Sequence, residues 1–248
     1  MKVTATPAAT AALAAARKRR LARERERRRL LRLHRYENAA RGKGFTLVGG
    51  IDEVGRGPLA GPVVAACVVV DGALMLRGLD DSKKVARERR EELALVIRQR
   101  AVAWAVGEAS VAEIERLNIY WATVLAMERA IAALAAVPEY LLTDAVRIRS
   151  FSGAQLPVIK GDAKCATVAA ASIVAKVHRD ALLVELDRLH PEYGFAEHKG
   201  YATPRHIAAL REHGPCPHHR RHFWRVRDAA IAFDFNAADT GATDPAFE

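Results

Sequence analysis

The sequence predicts an α/β domain, on three observations. Strand-like and helix-like segments alternate along most of the chain, half of its 248 residues are apolar, and a glycine-rich stretch joins two apolar, β-branched runs. A chain of this length buries a core whether it folds as one domain or two.

Residues 12–40 contain Ala, Arg, Leu and Glu in quantity and no Gly or Pro, so helix propensity is high. The pairs Arg20/Glu24 and Glu24/Arg28 add support at i,i+4 spacing. The apolar stripe of this helix is thin, which predicts loose docking or ordering on a partner. Gly42 and Gly44 mark the passage into the body. Runs 47–51 and 63–70 read as strands, with Asp52-Glu53-Val54-Gly55-Arg56-Gly57-Pro58-Leu59-Ala60-Gly61-Pro62 between them. Residues 85–99 read as a helix, 101–109 as a strand, and 111–137 as a long helix stopped by Pro138. A short buried strand at 140–143 carries Asp144 at its end. After a loop with Ser152 and Gly153 comes a short strand at 156–160.

The helix expected over 165–190 has the cleanest period. Ala170, Ile173, Val177, Ala181 and Val184 fall on one face, and Ser172, Lys176 and Arg179 flank it. A short helix is expected from Pro204. From about Phe233 the chain turns small and polar, and disorder is expected. The domain reading is a basic helical extension over 1–45, a catalytic domain over 46–232 and a disordered tail over 233–248.

The net charge of +10 is concentrated at one end. Residues 1–48 hold 14 Lys/Arg against 3 Asp/Glu, and the rest holds 25 against 26. Such a block is drawn to a polyanion, nucleic acid before an anionic membrane. Cys67, Cys165 and Cys216 are few, odd in number and widely spaced, which points to a reducing cytoplasm. Cys216 lies near His213, His218 and His219 but matches none of the paired zinc spacings, so no zinc site is expected. No apolar run reaches the roughly 18 residues of a membrane span. The charge at the start follows a weak apolar stretch instead of preceding it, which argues against a secretory signal.

Asp52, Glu53, Asp144 and Asp162 stand where apolar strands end or a helix begins. Each has an ordinary alternative as a strand exit, a turn opener or a helix cap. Together they stand where α/β folds bind ligands, and clustered carboxylates are costly unless a cation neutralises them. Two Mg²⁺ ions about 4 Å apart would suit a phosphodiester substrate.

Asp52 to Val64, Asp81-Ser82-Lys83-Lys84, Lys160-Gly161-Asp162, Ala169 to Asp180 and His198-Lys199-Gly200-Tyr201-Ala202-Thr203 closely resemble ribonuclease HII, with a last match at His219 to Phe223. The likeness runs from about residue 46 to 225. It implies a ribonuclease-H-like mixed sheet flanked by helices, with the basic helical extension before it and a helical region at the C-terminal end. It implies an endoribonuclease cutting the RNA strand of RNA–DNA hybrids and single ribonucleotides embedded in duplex DNA. The cut falls on the 5′ side of the ribonucleotide and leaves 3′-hydroxyl and 5′-phosphate ends.

Its four carboxylates match Asp52, Glu53, Asp144 and Asp162, holding two Mg²⁺ or Mn²⁺ ions per site. Main-chain groups around Gly55, Arg56 and Gly57 can approach a 2′-hydroxyl where no Cβ intervenes. The family pairs this segment with a tyrosine matching Tyr201, which packs on the next deoxyribose. Tyr193 is a weaker candidate for that role. Lys83, Lys84, Ser172 and Lys176 are expected phosphate contacts. A monomer without membrane attachment is expected.

Two departures stand out. Ala145 replaces the usual Gly after the third acid, and His222 replaces a usual Ser. The competing readings are ribonuclease HIII, another metal nuclease of the superfamily, and a non-catalytic basic nucleic-acid-binding protein.

Overall fold

The computed structural model describes residues 7–240, with side chains from 15 to 233. Five strands form one mixed sheet: β1 (Val48–Val54), β2 (Val63–Val70), β3 (Ala103–Ala109), β4 (Tyr140–Asp144) and β5 (Ala154–Val158). Their order across the sheet is β3-β2-β1-β4-β5. β1 to β3 form an antiparallel meander, while β1, β4 and β5 run parallel. β2 is buried at every residue, as expected of a central strand covered on both faces.

Helix α4 (Val111–Ala132) covers one face and α5 (Ala166–Leu189) the other. On the first face Ile51, Cys67 and Met127 share a core; on the second Val64, Val68 and Ile173 share another. α5 crosses β1 so closely that a Cβ at Gly50 would lie 2.2 Å from the Thr167 carbonyl carbon. Gly50 is what allows the helix to lie there. Helix α3 (Arg87–Arg100) packs outside α5. The short helices α6 (Phe195–His198), α7 (Pro204–His213) and α8 (Trp224–Thr240) build a C-terminal cluster around Tyr193, Phe195 and Leu210.

Several elements depart from the sequence reading. α4 ends at Ala132, short of Pro138, because the chain must turn back so that Glu139 and Tyr140 can donate to the Leu47 carbonyl. α4 is also kinked at Asn118 (φ 67), whose side chain accepts from the amides of Tyr120 and Trp121 and caps the second half. β5 begins two residues earlier than expected and stops before Ile159, which is exposed, and Lys160, which is left-handed. In α5 every residue from Ala166 to Ala175 is buried, so a single core face is too narrow a description; farther on Ala181 is exposed and the inner face is carried by Arg179 and Leu183.

The N-terminal helices α1 (Pro7–Leu33) and α2 (Arg35–Arg41) do not dock loosely. Leu30 and Leu33 enter the core beside α3 and α5. Glu37 is fully buried and accepts from the Thr167 amide at 2.8 Å and its hydroxyl at 2.9 Å. The thin stripe sufficed because two leucines and one buried carboxylate carry the contact. α8 runs to Thr240, so positions 233–240 are helical where disorder was expected. Residues 241–248 of the expected tail lie outside the described residues.

Candidate active site

β1 and β4 are parallel neighbours with Ile51 opposite Thr143, so the next residues, Asp52 within β1 and Asp144 at the end of β4, stand side by side. Side-chain alternation turns Asp52 to the α5 face, where it takes a hydrogen bond from Ser172 of that helix and one from the Glu53 amide at 2.8 Å. Ser172 in turn shares a 2.8 Å hydrogen bond with Ser82. Asp162 comes from a single 3₁₀ turn (Gly161–Ala163) after β5, and Asp144 Oδ1 accepts from the Gly161 amide at 2.9 Å. The four acids line one cleft of about 200 Å³ with Gly55, Arg56, Gly57, Lys83, Lys176 and Tyr201.

The floor of this cleft resists ionisation. Asp52 is 5 % exposed, and burial, followed by the charge of Glu53, raises its pKa well above the usual carboxylate range. Glu53 is raised by burial despite Arg56, which bonds its Oε1 at 3.2 Å. Asp162 is raised by burial, then by Asp81 and Asp144. Glu53 Oε2 is buried with no hydrogen-bond partner. Hard oxygen donors without nitrogen or sulfur suit Mg²⁺ or Mn²⁺, and a divalent cation would remove both the repulsion and the orphaned oxygen. Among the described residues no three such side chains already converge on one point. Glu53 is turned onto Arg56 and Asp144 onto Gly161.

The wall is held by two arginines that the sequence reading left without this role. Arg220 is fully buried and donates to the carbonyls of Gly55, Arg56 (3.0 Å) and Gly61 (2.8 and 3.0 Å). Arg179, also fully buried, donates to Pro62 (3.0 Å), Ala60 (2.9 Å) and Lys199 (3.0 Å). Burial lowers them to about 9 and about 10, still charged at neutral pH. No peptide here is cis, so each carbonyl opposes the next N–H. With the Gly55 and Arg56 carbonyls on Arg220, the amides of Arg56 and Gly57 point away from it. Gly55 sits at φ +93, where a Cβ would meet Arg179 Nε at 2.2 Å. Only glycine fits there.

Tyr201 is 42 % exposed at the cleft mouth. Behind it runs a chain of histidines with defined tautomers. The Cys216 amide donates to His219 Nδ1 at 3.0 Å, so the proton of His219 is on Nε2. That N–H meets His206 Nε2 at 2.9 Å, and His206 Nδ1 must then donate to the Tyr201 carbonyl, also at 2.9 Å. Both rings are neutral: burial lowers His206 to about 4 and His219 to about 3. His219 thus uses Nδ1 on the Cys216 amide and Nε2 on His206, which holds Tyr201.

Other expected contacts divide. Lys83 is exposed in the cleft, and Lys176 lines it while paired to Asp180 at 2.6 Å. Lys84 lies in an adjoining depression, 3.6 Å from Asp80. Tyr193 is buried, with its hydroxyl on the Gly214 carbonyl, and takes no part in the cleft. Arg220 and His219 stood in the last matched motif; His206 stood outside the matched motifs. Their partners are main-chain carbonyls and distant rings that no spacing announces.

A mixed sheet clasped by helices, with four carboxylates in one cleft across β1, β4 and the turn after β5, defines a ribonuclease-H-like α/β nuclease. The ribonuclease HII family profile matches residues 49–226. Ribonuclease HII of Koribacter versatilis is 47 % identical over 212 residues, spanning 84 % of this chain and 83 % of its own. The crystal structure of ribonuclease H2 from Pyrococcus horikoshii superposes with a TM-score of 0.64 at 27 % identity, covering 76 % of this chain and 99 % of that one. A Bst ribonuclease HIII solved in complex with Mn²⁺ shares the fold, with a TM-score of 0.55 at 24 % identity over 78 % of this chain and 72 % of its own. The chain belongs to the ribonuclease HII family. It is a metal-dependent endoribonuclease.

Proposed function

We propose that Asp52, Glu53, Asp144 and Asp162 hold two divalent cations, Mg²⁺ or Mn²⁺, and that this cleft cuts on the 5′ side of a ribonucleotide in an RNA–DNA hybrid or a DNA duplex. The observation that carries the reading is their convergence with Gly55, Arg56, Gly57 and Tyr201 on one cleft. When bound, such ions supply the activation of water and the neutralisation of the leaving oxygen that phosphodiester hydrolysis requires.

The chain's own groups set where the cut falls. The amides of Arg56 and Gly57, turned outward by Arg220, are the groups offered to a 2′-hydroxyl, the one feature that distinguishes ribose from deoxyribose. Tyr201, fixed through His206, packs on the following sugar. Lys83 and Lys176 approach phosphates. Ser172 acts on Asp52, because its hydroxyl is engaged there and with Ser82. All these groups come from one chain, so a monomer suffices. Three free, buried cysteines suit the reducing cytoplasm.

The test is a labelled duplex with one embedded ribonucleotide beside an all-DNA duplex, each with and without Mn²⁺. The reading expects one metal-dependent cut 5′ to the ribonucleotide and none in the control. Cutting of both duplexes would favour a different metal nuclease, and binding without cutting would favour a non-catalytic protein.

A further inference from the structure

The basic face of α1 runs into the cleft. Lys18, Arg25, Arg28 and Arg32 fall on one side of the helix and line a broad concavity of about 900 Å³. At Arg29 and Arg32 this opens into a second depression, about 330 Å³, whose other walls include Arg35, Lys84 and Lys164. Lys84 adjoins Lys83 and Ala163 adjoins Asp162, and both Lys83 and Asp162 line the cleft. The acids along this track are each paired with its bases: Glu24 with Arg28, Glu26 with Arg29 and the Gly78 amide, Asp80 with Arg29 and Lys84, so the surplus of positive charge lies on Lys18, Arg25, Arg32, Arg35 and Lys164.

The track is also fixed in place. Arg29 bonds the Leu79 carbonyl at 2.8 Å, and Leu30 and Leu33 are buried in the core. Arg25, Arg28 and Arg32 stay exposed and carry no part of that docking. Residues 49–248 have 25 basic against 26 acidic residues, and the cleft floor is acidic, so the body offers a polyanion little net attraction. From Lys18 to Arg32 the helix spans about 21 Å, the length of about six base pairs.

We propose that α1, with the ledge of Arg35, Lys84 and Lys164, binds phosphates of the same duplex that is cut in the cleft, on one side of the ribonucleotide. This rests on the cleft being the cutting site. A track of positive charge continuous with that site fits regularly spaced phosphates and reads no sequence.

The test uses the full chain, without metal, on an all-DNA duplex and on one with a single ribonucleotide. In the Arg25→Gln/Arg28→Gln/Arg32→Gln protein, the slope of log affinity against log salt should be shallower by about 2 to 3, equally for both duplexes. The corresponding Arg→Lys protein should keep the wild-type slope. Hydroxyl-radical footprinting of the wild type should show protection extending farther on one side of the ribonucleotide, and the Gln variant should lose that extension. An unchanged slope in a Gln variant with wild-type melting temperature, or a symmetric wild-type footprint, would overturn the proposal. So would loss of binding to phosphatidylserine vesicles with duplex binding intact, which would assign the arm to a membrane surface. Because binding is read without metal, the arm can fail while the cutting site stands, and the reverse.

Discussion

Asp52 and Arg220 are both buried ionisable side chains serving one cleft, and their surroundings treat charge in opposite ways. Arg220 spends its guanidinium on three carbonyls of the Gly55–Gly61 loop and stays charged. Asp52 has Ser172 and one amide to offset its burial, with Glu53 beside it and Asp144 across the strand, and its pKa rises. The wall is satisfied within the protein and therefore rigid. The floor is left unsatisfied, with Glu53 Oε2 unpartnered, as the proposed cation site requires. A site that must bind ions tightly cannot neutralise its own carboxylates first, so the cost appears as stability forgone.

The largest test of this contrast is Asp52→Asn. Removing even an outer partner of a metal ligand costs about 10- to 100-fold, so loss of Asp52 should cut the rate at least about 100-fold in a single-turnover assay. The same change should raise the melting temperature of the metal-free protein at pH 7. The sign follows from proton binding. Asp52 has a folded pKa above its unfolded one, so the folded state holds more protons between the two, and stability falls as pH rises through that window. Asparagine removes the loss. A lower melting temperature in Asp52→Asn would break the contrast.

Arg220→Met probes the wall and should do the reverse. Three buried carbonyls lose a charged donor, which should cost about 3 kcal/mol or more in denaturant unfolding. The ratio of cutting at ribose over deoxyribose should fall with it.

Acid should loosen the wall behind Tyr201. His206 and His219 are depressed to about 4 and about 3, below the ordinary histidine value of 6.5. Their neutral forms contribute stability that is full above about pH 6.5 and is lost as pH falls towards those values. Thermal melts from pH 7 to 4 should decline less steeply in His206→Phe than in the wild type. Unequal effects on kcat and KM in that variant would separate positioning of Tyr201 from general stability.

The smallest effect lies on the floor. Ala145 follows Asp144 at φ 57, the left-handed region, where glycine is the usual family residue. A residue with a Cβ pays about 1–2 kcal/mol there. Ala145→Gly should gain about 1 kcal/mol, offset in part by unfolded-state entropy, and raise the melting temperature by about 2–4 °C.

The floor was legible in the sequence and the wall largely was not, for a physical reason. Carboxylates at the ends of apolar runs declare themselves by residue type, as does Gly55-Arg56-Gly57. Arg179 and Arg220 look like surface charges until folding buries them, and their partners are main-chain carbonyls present at every position. His206 and His219 are 13 residues apart with no shared period. The first two strands followed from apolar, β-branched runs, whereas the limits of α4 and β5 depended on long-range turns to Leu47 and at Lys160. Docking of α1 and α2 turned on Leu30, Leu33 and the burial of Glu37, too few residues to form a pattern.

The most direct measurement is a Mn²⁺ titration at pH 7, followed by the electron paramagnetic resonance signal of the free ion, on wild type and Asp52→Asn. The account predicts two ions taken up by the wild type, with at least one lost or strongly weakened in the variant. Equal uptake by the two proteins, or none by the wild type, would contradict it.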